Sequence, residues 1–182
     1  MKTNVIIDEL KAIAALDWNP EQKAYYEQRA KDARVVQCVR MCDVFTPIQI
    51  RFFCAMGWKT QQKMCYRNAA ELITTILKSR RVFPDIPRVM YVEGFVYSCG
   101  LLPIEHAFVK VGDKYIDPTF ERALHRDVRK EMYASLIELG PGTMIRYQAE
   151  TGYYGDLYQY DYLRTHKPEL AAHIRAMNPH RG

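Results

Sequence analysis

Long apolar runs are missing from this 182-residue chain. No stretch approaches the ~20 apolar residues that a membrane-crossing helix needs, so we expect no membrane partner. The first sixteen residues, MKTNVIIDELKAIAAL, carry Asp8, Glu9 and Lys11 where a secretory signal would have an unbroken apolar segment. A cytoplasmic location is therefore expected.

Other absences narrow the functional classes. The sequence contains no glycine-rich phosphate loop, no internal repeat and no low-complexity linker. Its five cysteines are an odd number at irregular spacing, which does not favour a disulfide framework. Cys38 and Cys42 stand four residues apart on a predicted helix, but no further zinc ligands follow at a familiar spacing. We expect neither a metal nor another cofactor.

The charge is scattered along the chain. The net charge is +5, with 26 Lys and Arg against 21 Asp and Glu, and carboxylates lie between the basic residues. This pattern does not indicate a nucleic-acid partner. Apolar residues make up 48% of the chain, which is enough for one sizeable core. We therefore predict a single α+β domain over residues 1–182.

Three parts of that domain follow from the pattern. Residues 1–57 are predicted to be helical, because Asn19-Pro20 and Thr46-Pro47 are helix start signals, with one helix running from Glu21 to about Cys42. Residues 58–120 read as a core in which a helix beginning near Cys65 packs on an antiparallel sheet.

The remaining part, residues 121–182, is predicted to be helical and rich in tyrosine. The segment ERALHRDVRKEMYASLIELG resembles a helix that ends before a Gly-Pro-Gly sequence, and a last short helix is expected from Pro168 to Met177. Between them, Tyr147 to Tyr162 contains six tyrosines. These tyrosines either line a groove or pack the end of the chain onto the sheet.

A predicted hairpin brings a histidine and an aspartate onto one face. Gly112-Asp113 suits a two-residue turn, which pairs Val111 with Lys114 and Val109 with Ile116. Alternation then makes His106 and Asp117 diagonal neighbours, about 7 Å apart at the backbone, on the less apolar face. Such a pair forms either a surface hydrogen bond or part of a catalytic site, and a nucleophile elsewhere decides between the two.

Cys65 is the candidate nucleophile. Cys65, Ala69, Leu72 and Ile76 are spaced for one helix face, with the cysteine near the helix start. The helix N-terminus favours a thiolate, and its N–H groups can hold an oxyanion. An imidazole can exchange the thiol proton, and a carboxylate can fix the imidazole tautomer. Taken by itself, a free cysteine is more often a small buried apolar residue, and this interpretation is favoured for Cys65 alone.

Together these segments resemble the transglutaminase-like core of the papain-like thiol enzyme superfamily. The resemblance rests on the helix-opening cysteine of CYRNAAELITTIL, on Val92-Glu93-Gly94-Phe95, on HAFVKV and on Asp117-Pro118-Thr119. It covers the chain from the cysteine to Phe120, under a third of its length. The resemblance implies Cys65 as nucleophile, His106 as general base and acid, and Asp117 as the residue that orients the imidazole.

The expected function is thiol-dependent acyl transfer by a cysteine hydrolase such as a peptidase, amidase or deamidase. The simplest reaction is hydrolysis of an amide, peptide or isopeptide bond through a Cys65 acyl-enzyme, with a protein, peptide or other amide-bearing substrate as partner. Gln61 and Gln62 are candidate oxyanion donors, or else solvated glutamines. The alternative is a non-catalytic protein-binding or inhibitory protein that keeps the fold.

Overall fold

The structure, a computed structural model, describes residues 5–98 and 102–178. Its helices are α1 (Val5–Ala14), α2 (Pro20–Asp32), α3 (Pro47–Ala55), α4 (Cys65–Ser79), α5 (Pro141–Thr151), α6 (Leu157–His166) and α7 (Pro168–Met177). Its strands are β1 (Arg34–Val36), β2 (Cys38–Val39), β3 (Val89–Tyr97), β4 (Ile104–Val111), β5 (Lys114–Ile116) and β6 (Met132–Leu139). The predicted mixture of α and β structure is confirmed.

Local sequence signals set several helix boundaries. The Asn19 side chain accepts the N–H of Gln22 at 2.9 Å, and Thr46 forms a reciprocal capping box with Gln49. Proline occupies the start of α2, α3, α5 and α7, where its missing N–H costs no hydrogen bond. The predicted last helix is α7. Within the described residues, every helix is too short or too polar to span a bilayer.

One six-stranded sheet runs through the molecule in the order β1-β6-β3-β4-β5-β2. Adjacent strands in the sheet are antiparallel, except that β5 and β2 are parallel. The hairpin register is the predicted one, with Val111 opposite Lys114 and Val109 opposite Ile116. Pairing stops at Ile116, so the chain leaves the sheet immediately before Asp117.

The predicted helix from Glu21 to about Cys42 is wrong beyond Asp32. The chain after Asp32 supplies β1 and β2, which lie at the two opposite edges of the sheet. Cys38 is therefore in a strand, and Cys42 is in a short helical turn, so the two do not share a helix. Pairing with β6 and β5 decides the conformation here, in a segment rich in strand-favouring valine.

A second predicted helix, in residues 121–139, is a strand over its last eight residues, Met132–Leu139. Short helical turns at Thr119–Ala123 and Val128–Lys130 are followed by β6, which lies between β1 and β3. Consecutive residues Tyr133, Ala134 and Ser135 of β6 are all buried. A strand buried on both faces lacks the alternation of polar and apolar residues by which a strand is recognised.

Helix α4 is fixed on one face of β3 and β4 by an apolar core. Its fully buried residues include Leu72, Ile73 and Ile76, which belong to the same cluster as Tyr91 and Val109. Burying each such Leu or Ile side chain stabilises the fold by about 1.5–3 kcal/mol. The packing of α4 therefore determines where its first residue, Cys65, lies relative to β4.

The other face of β4 is also covered, although the sequence predicted it to be the less apolar one. Phe108 is fully buried in a second cluster with Val92, Phe120, Val128 and Tyr133. These residues come from β3, from the two short turns and from β6. His106 and Asp117 consequently lie in the protein interior.

Gly94 allows β3 to approach β6 closely beside this region. A Cβ atom at Gly94 would lie 1.9 Å from the carbonyl oxygen of Ala134, and the strand register shifts between Glu93 and Gly94. On its other side Gly94 is opposite His106. Any larger residue at Gly94 would therefore displace the strands that position His106.

Candidate active site

Cys65 is the first residue of α4, as the sequence predicts. Its side chain is partly buried. The preceding turn is tight, and Lys63 adopts a φ of 61°, a left-handed conformation that is uncommon outside glycine. Because the first N–H groups of a helix have no partner within it, the positive end of the α4 dipole lies at Cys65. This position favours a thiolate and can hold an oxyanion.

His106 and Asp117 form a buried pair. The imidazole Nε2 lies 2.7 Å from Oδ2 of Asp117, and the two residues are 4% and 0% exposed. Cys65 lies near enough to this imidazole to help raise its pKa. Since Nε2 is engaged by Asp117, Nδ1 is the ring nitrogen left for the sulfur. The structure thus brings together the three residues selected from the sequence.

Four hydrogen bonds hold the Asp117 carboxylate. Oδ1 accepts the backbone N–H of Thr119 at 2.9 Å and of Phe120 at 3.0 Å. Oδ2 accepts the Tyr133 hydroxyl at 2.9 Å in addition to its contact with His106. Both oxygens are therefore fixed, and the carboxylate faces the imidazole in one orientation.

The charges around His106 favour its protonated form. Burial lowers the pKa of the imidazole, but the Asp117 carboxylate and Cys65 more than offset this and raise the pKa from 6.5 to about 10. The imidazole is therefore positively charged at neutral pH. A charged imidazole next to a sulfur stabilises the thiolate, so the site can hold a thiolate–imidazolium pair.

Asn68, one turn along α4 from Cys65, links the two halves of the site. Its Nδ2 donates to the carbonyl of Gln61 at 2.7 Å and to the Thr119 hydroxyl at 3.0 Å. Its Oδ1 accepts the N–H of Gln61 at 3.0 Å. This buried amide therefore ties the loop before the cysteine to the turn that follows Asp117.

The two candidate oxyanion donors lie in that loop, and both are exposed. Gln61 is held through its backbone by Asn68, as described above. The Gln62 side chain donates to the carbonyl of Ala123 at 3.4 Å, in the turn after Asp117. The side-chain amide of Gln62 is thus directed at the turn. An oxyanion role for either glutamine stays a prediction.

Acidic residues line the side of the site next to Tyr66. Glu93 is buried, and its two oxygens accept the Tyr91 hydroxyl at 2.9 Å and the N–H of Tyr158 at 2.8 Å. Burial raises the pKa of Glu93 to about 7. A cavity of only about 20 Å³ lies between Tyr66, Glu93 and Glu105, which is room for about one water molecule.

Helix α2 closes this side of the site. Its one buried residue, Arg29, forms an ion pair with Glu105, the residue before His106. The Arg29 guanidinium lies 4.7 Å from the centre of the Phe95 ring, a distance at which a cation is attracted to the ring face. The N-terminal helices are thus attached directly beside the imidazole.

Sequence reasoning missed Tyr133 and Asn68. Tyr133 was assigned to a helix, so its contact with Asp117 was not expected. Asn68 lies on the helix face next to Ala69, and a polar residue bordering a predicted apolar face is the signal that could have identified it. In the described part of the chain, no three His, Cys, Asp or Glu side chains are grouped as a metal site.

Comparison with known proteins assigns no family and no function to this chain. No protein-family model matches the chain, and neither the curated proteins nor the solved structures contain a match to it. The residues of the site are accordingly the basis for any functional interpretation.

Proposed function

We propose that this protein is a thiol-dependent acyl-transfer enzyme with a transglutaminase-like, papain-like core. The main supporting observation is a buried His106–Asp117 pair, joined at 2.7 Å, and the helix-opening Cys65 lies near enough to raise the pKa of the same imidazole. Cys65 is the nucleophile, His106 transfers the proton, and Asp117 holds the imidazole. Hydrolysis of an amide, peptide or isopeptide bond is the favoured reaction.

The reaction has two stages in this proposal. The Cys65 thiolate attacks the substrate carbonyl carbon, and the carbonyl oxygen becomes an oxyanion near the N–H groups at the start of α4. When the carbon–nitrogen bond breaks, the imidazolium of His106 gives its proton to the leaving amine. His106 then takes a proton from water, the resulting hydroxide attacks the thioester, and a carboxylic acid and the Cys65 thiol are released after the proton returns.

The order and setting of the motif residues support the transglutaminase-like interpretation. The cysteine begins a helix, the histidine is in a strand antiparallel to β3, and the aspartate immediately follows the next strand. The helix packs on the same strands through a shared apolar core. A family pattern that depends on these three positions would require this relative placement of helix and hairpin.

The alternative, a protein that binds others through a tyrosine-rich surface, has less support. Of the six tyrosines from Tyr147 to Tyr162, only Tyr153 and Tyr154 are largely exposed. Tyr147, Tyr158 and Tyr160 are buried, and Tyr147 and Tyr160 belong to the main apolar core. A surface of two adjacent tyrosines is small for a binding protein of this kind.

An activated ester tests the proposal without knowledge of the natural substrate. With p-nitrophenyl acetate, we expect a burst of about one p-nitrophenolate per protein and an acetyl group on Cys65, found by mass spectrometry of the digested protein. Cys65→Ser and His106→Ala should each abolish the burst. Cys54→Ser, at an exposed cysteine, is the matched control and should leave it unchanged. A burst that survives Cys65→Ser would refute the proposal.

A further inference from the structure

A second cavity, of about 440 Å³, lies along the outer side of α4. It is bounded by the loop that follows α3 and by the loop between α5 and α6. Its polar lining includes Lys59, Gln61, Arg67, Glu71, Lys78 and Tyr154. This volume is within the usual range for ligand sites, although such sites are more often apolar. The polar character therefore limits which ligands fit.

The lining has an excess of positive charge and of hydrogen-bond donors. Lys59, Arg67 and Lys78 are cationic, whereas the one carboxylate of the lining, Glu71, is bonded by Nε of Arg67 at 2.6 Å. In the residues that the structure describes, neither lysine ammonium has an acceptor or a salt-bridge partner. The two lysine ammonium groups outnumber the one carboxylate of the lining, which is already bonded to Arg67, and this balance suits the carboxylate groups of a ligand.

The threonine hydroxyls of the lining do not change this balance. Thr74 donates to the carbonyl of Ala70 at 3.0 Å, and Thr75 donates to the carbonyl of Glu71 at 2.8 Å. Their hydrogens are therefore used within α4. The selective groups are the three cations, and Arg67 is held in place because its guanidinium lies 5.8 Å from the centre of the Tyr154 ring.

The position of the cavity connects it to the candidate active site. One end is formed by Gln61 and Asn68, which flank Cys65 in sequence and are hydrogen-bonded to each other. The other end is at Lys78, eleven residues beyond Arg67. At 1.5 Å per helical residue this is a length of about 16 Å, which an extended peptide covers with about five residues.

We propose that this cavity binds an acidic peptide segment of about five residues, in the same chain as the bond presented to Cys65. Lys59 and Lys78 pair with its carboxylates, and Gln61 lies where the segment turns towards the cysteine. The assignment of this segment to the substrate rests on the proposed function. The binding itself does not, because it depends only on the lining of α4 and its two neighbouring loops.

The test is binding of a fluorescein-labelled hexaglutamate to the Cys65→Ser protein, measured by fluorescence anisotropy at low salt. Hexaglutamate should bind, and hexaglutamine should not. The double variant Lys59→Gln/Lys78→Gln should weaken binding by about tenfold. The matched control is Lys23→Gln/Lys31→Gln, which removes the same charge from another surface cavity, beside α2, and should change binding less than twofold.

Three outcomes would overturn the proposal. The first is no difference between hexaglutamate and hexaglutamine. The second is an equal loss in the two double variants, which would mean general attraction to a basic protein. The third is equal binding of a short oligothymidylate of similar charge. Because this assay uses protein without the Cys65 thiol, it is separate from the ester burst: binding can fail while the burst persists, and the burst can fail while binding persists.

Discussion

Asp117→Asn distinguishes a catalytic carboxylate from a structural one. In the structure Oδ1 of Asp117 accepts the N–H groups of Thr119 and Phe120, and an asparagine retains a carbonyl oxygen for both bonds. The amide N–H₂ would replace the oxygen that faces His106 and Tyr133. The substitution therefore removes the negative charge while keeping the hydrogen bonds that close the turn.

The expected effect follows from the charge on His106. With Asp117 present the pKa of His106 is about 10; without that charge burial lowers the pKa, and only Cys65 is left to raise it. A larger fraction of the imidazole would then be neutral at pH 7. A free thiol with a pKa of ~8.5 is only about 0.3% ionised at pH 6. We therefore expect the alkylation rate of Cys65 at pH 6 to fall by a factor on the order of 10², within a range of about 10 to 10³.

The assay is iodoacetamide labelling followed by mass spectrometry of the cysteine peptides. Cys42 and Cys54 are exposed and serve as references within each molecule. In the wild-type protein Cys65 should react faster than both at pH 6. Asp127→Asn is the matched control, because it removes the charge of an aspartate paired with Arg129 on the surface, and it should leave the Cys65 rate unchanged.

Stability measurements across pH complete the comparison. Because the folded pKa of His106 is raised above 6.5, the stability that its charge contributes is complete below pH 6.5 and is lost as pH rises through about 10. Asp117→Asn should lose this decline, so its melting temperature should lie below that of the wild-type protein at pH 7 and approach it near pH 10. A lower melting temperature at every pH together with a normal Cys65 rate would refute the reasoning and make Asp117 only a structural cap.

Three further substitutions test the surroundings of the site. Asn68→Ala removes three hydrogen bonds and should slow Cys65 labelling at least tenfold. Ser79→Ala, a buried change about 16 Å further along α4, should leave the rate unchanged. Tyr133→Phe should reduce the free energy of unfolding in urea by about 1–3 kcal/mol, because a hydrogen bond to a buried carboxylate is lost. Glu93 has a folded pKa of about 7, so the wild-type protein should lose roughly 3 kcal/mol of stability as pH rises from 4.5 to 8. Glu93→Gln should abolish most of that loss, and an unchanged dependence of the free energy of unfolding on pH would contradict the burial argument.

Features that depend on neighbouring residues in the chain could be predicted from the sequence. The hairpin register follows from Gly112-Asp113 and the alternation around it, because a slip by one residue would move apolar side chains out of the core. The start of α4 at Cys65 follows from the spacing of its apolar residues. The same hairpin pattern selected Asp117, and the resemblance added its role through the Asp-Pro-Thr sequence, at the point where the strand ends.

Features that depend on distant pairing could not be predicted in this way. Strand β6 is buried on both sides, and its sequence does not alternate, so it resembles a helix until β1 and β3 are in place beside it. The contact of Asn68 with Thr119 spans 51 residues, and only the packing of α4 on the sheet creates it. The edge strands β1 and β2 likewise form because they pair with β6 and β5.

The chemistry of the site depends on these long-range features as much as on the motif residues. In an isolated hairpin an Asp–His contact would be exposed to water, and it would be worth ~0–1 kcal/mol. Here Phe108, Phe120 and Tyr133 exclude water from the pair, and lower effective dielectric strengthens the attraction between carboxylate and imidazolium. The motif therefore supplies the reactive groups, whereas the elements assigned incorrectly from the sequence, β6 and the turns before it, exclude water from the His106–Asp117 pair and supply the Tyr133 hydroxyl that holds Asp117.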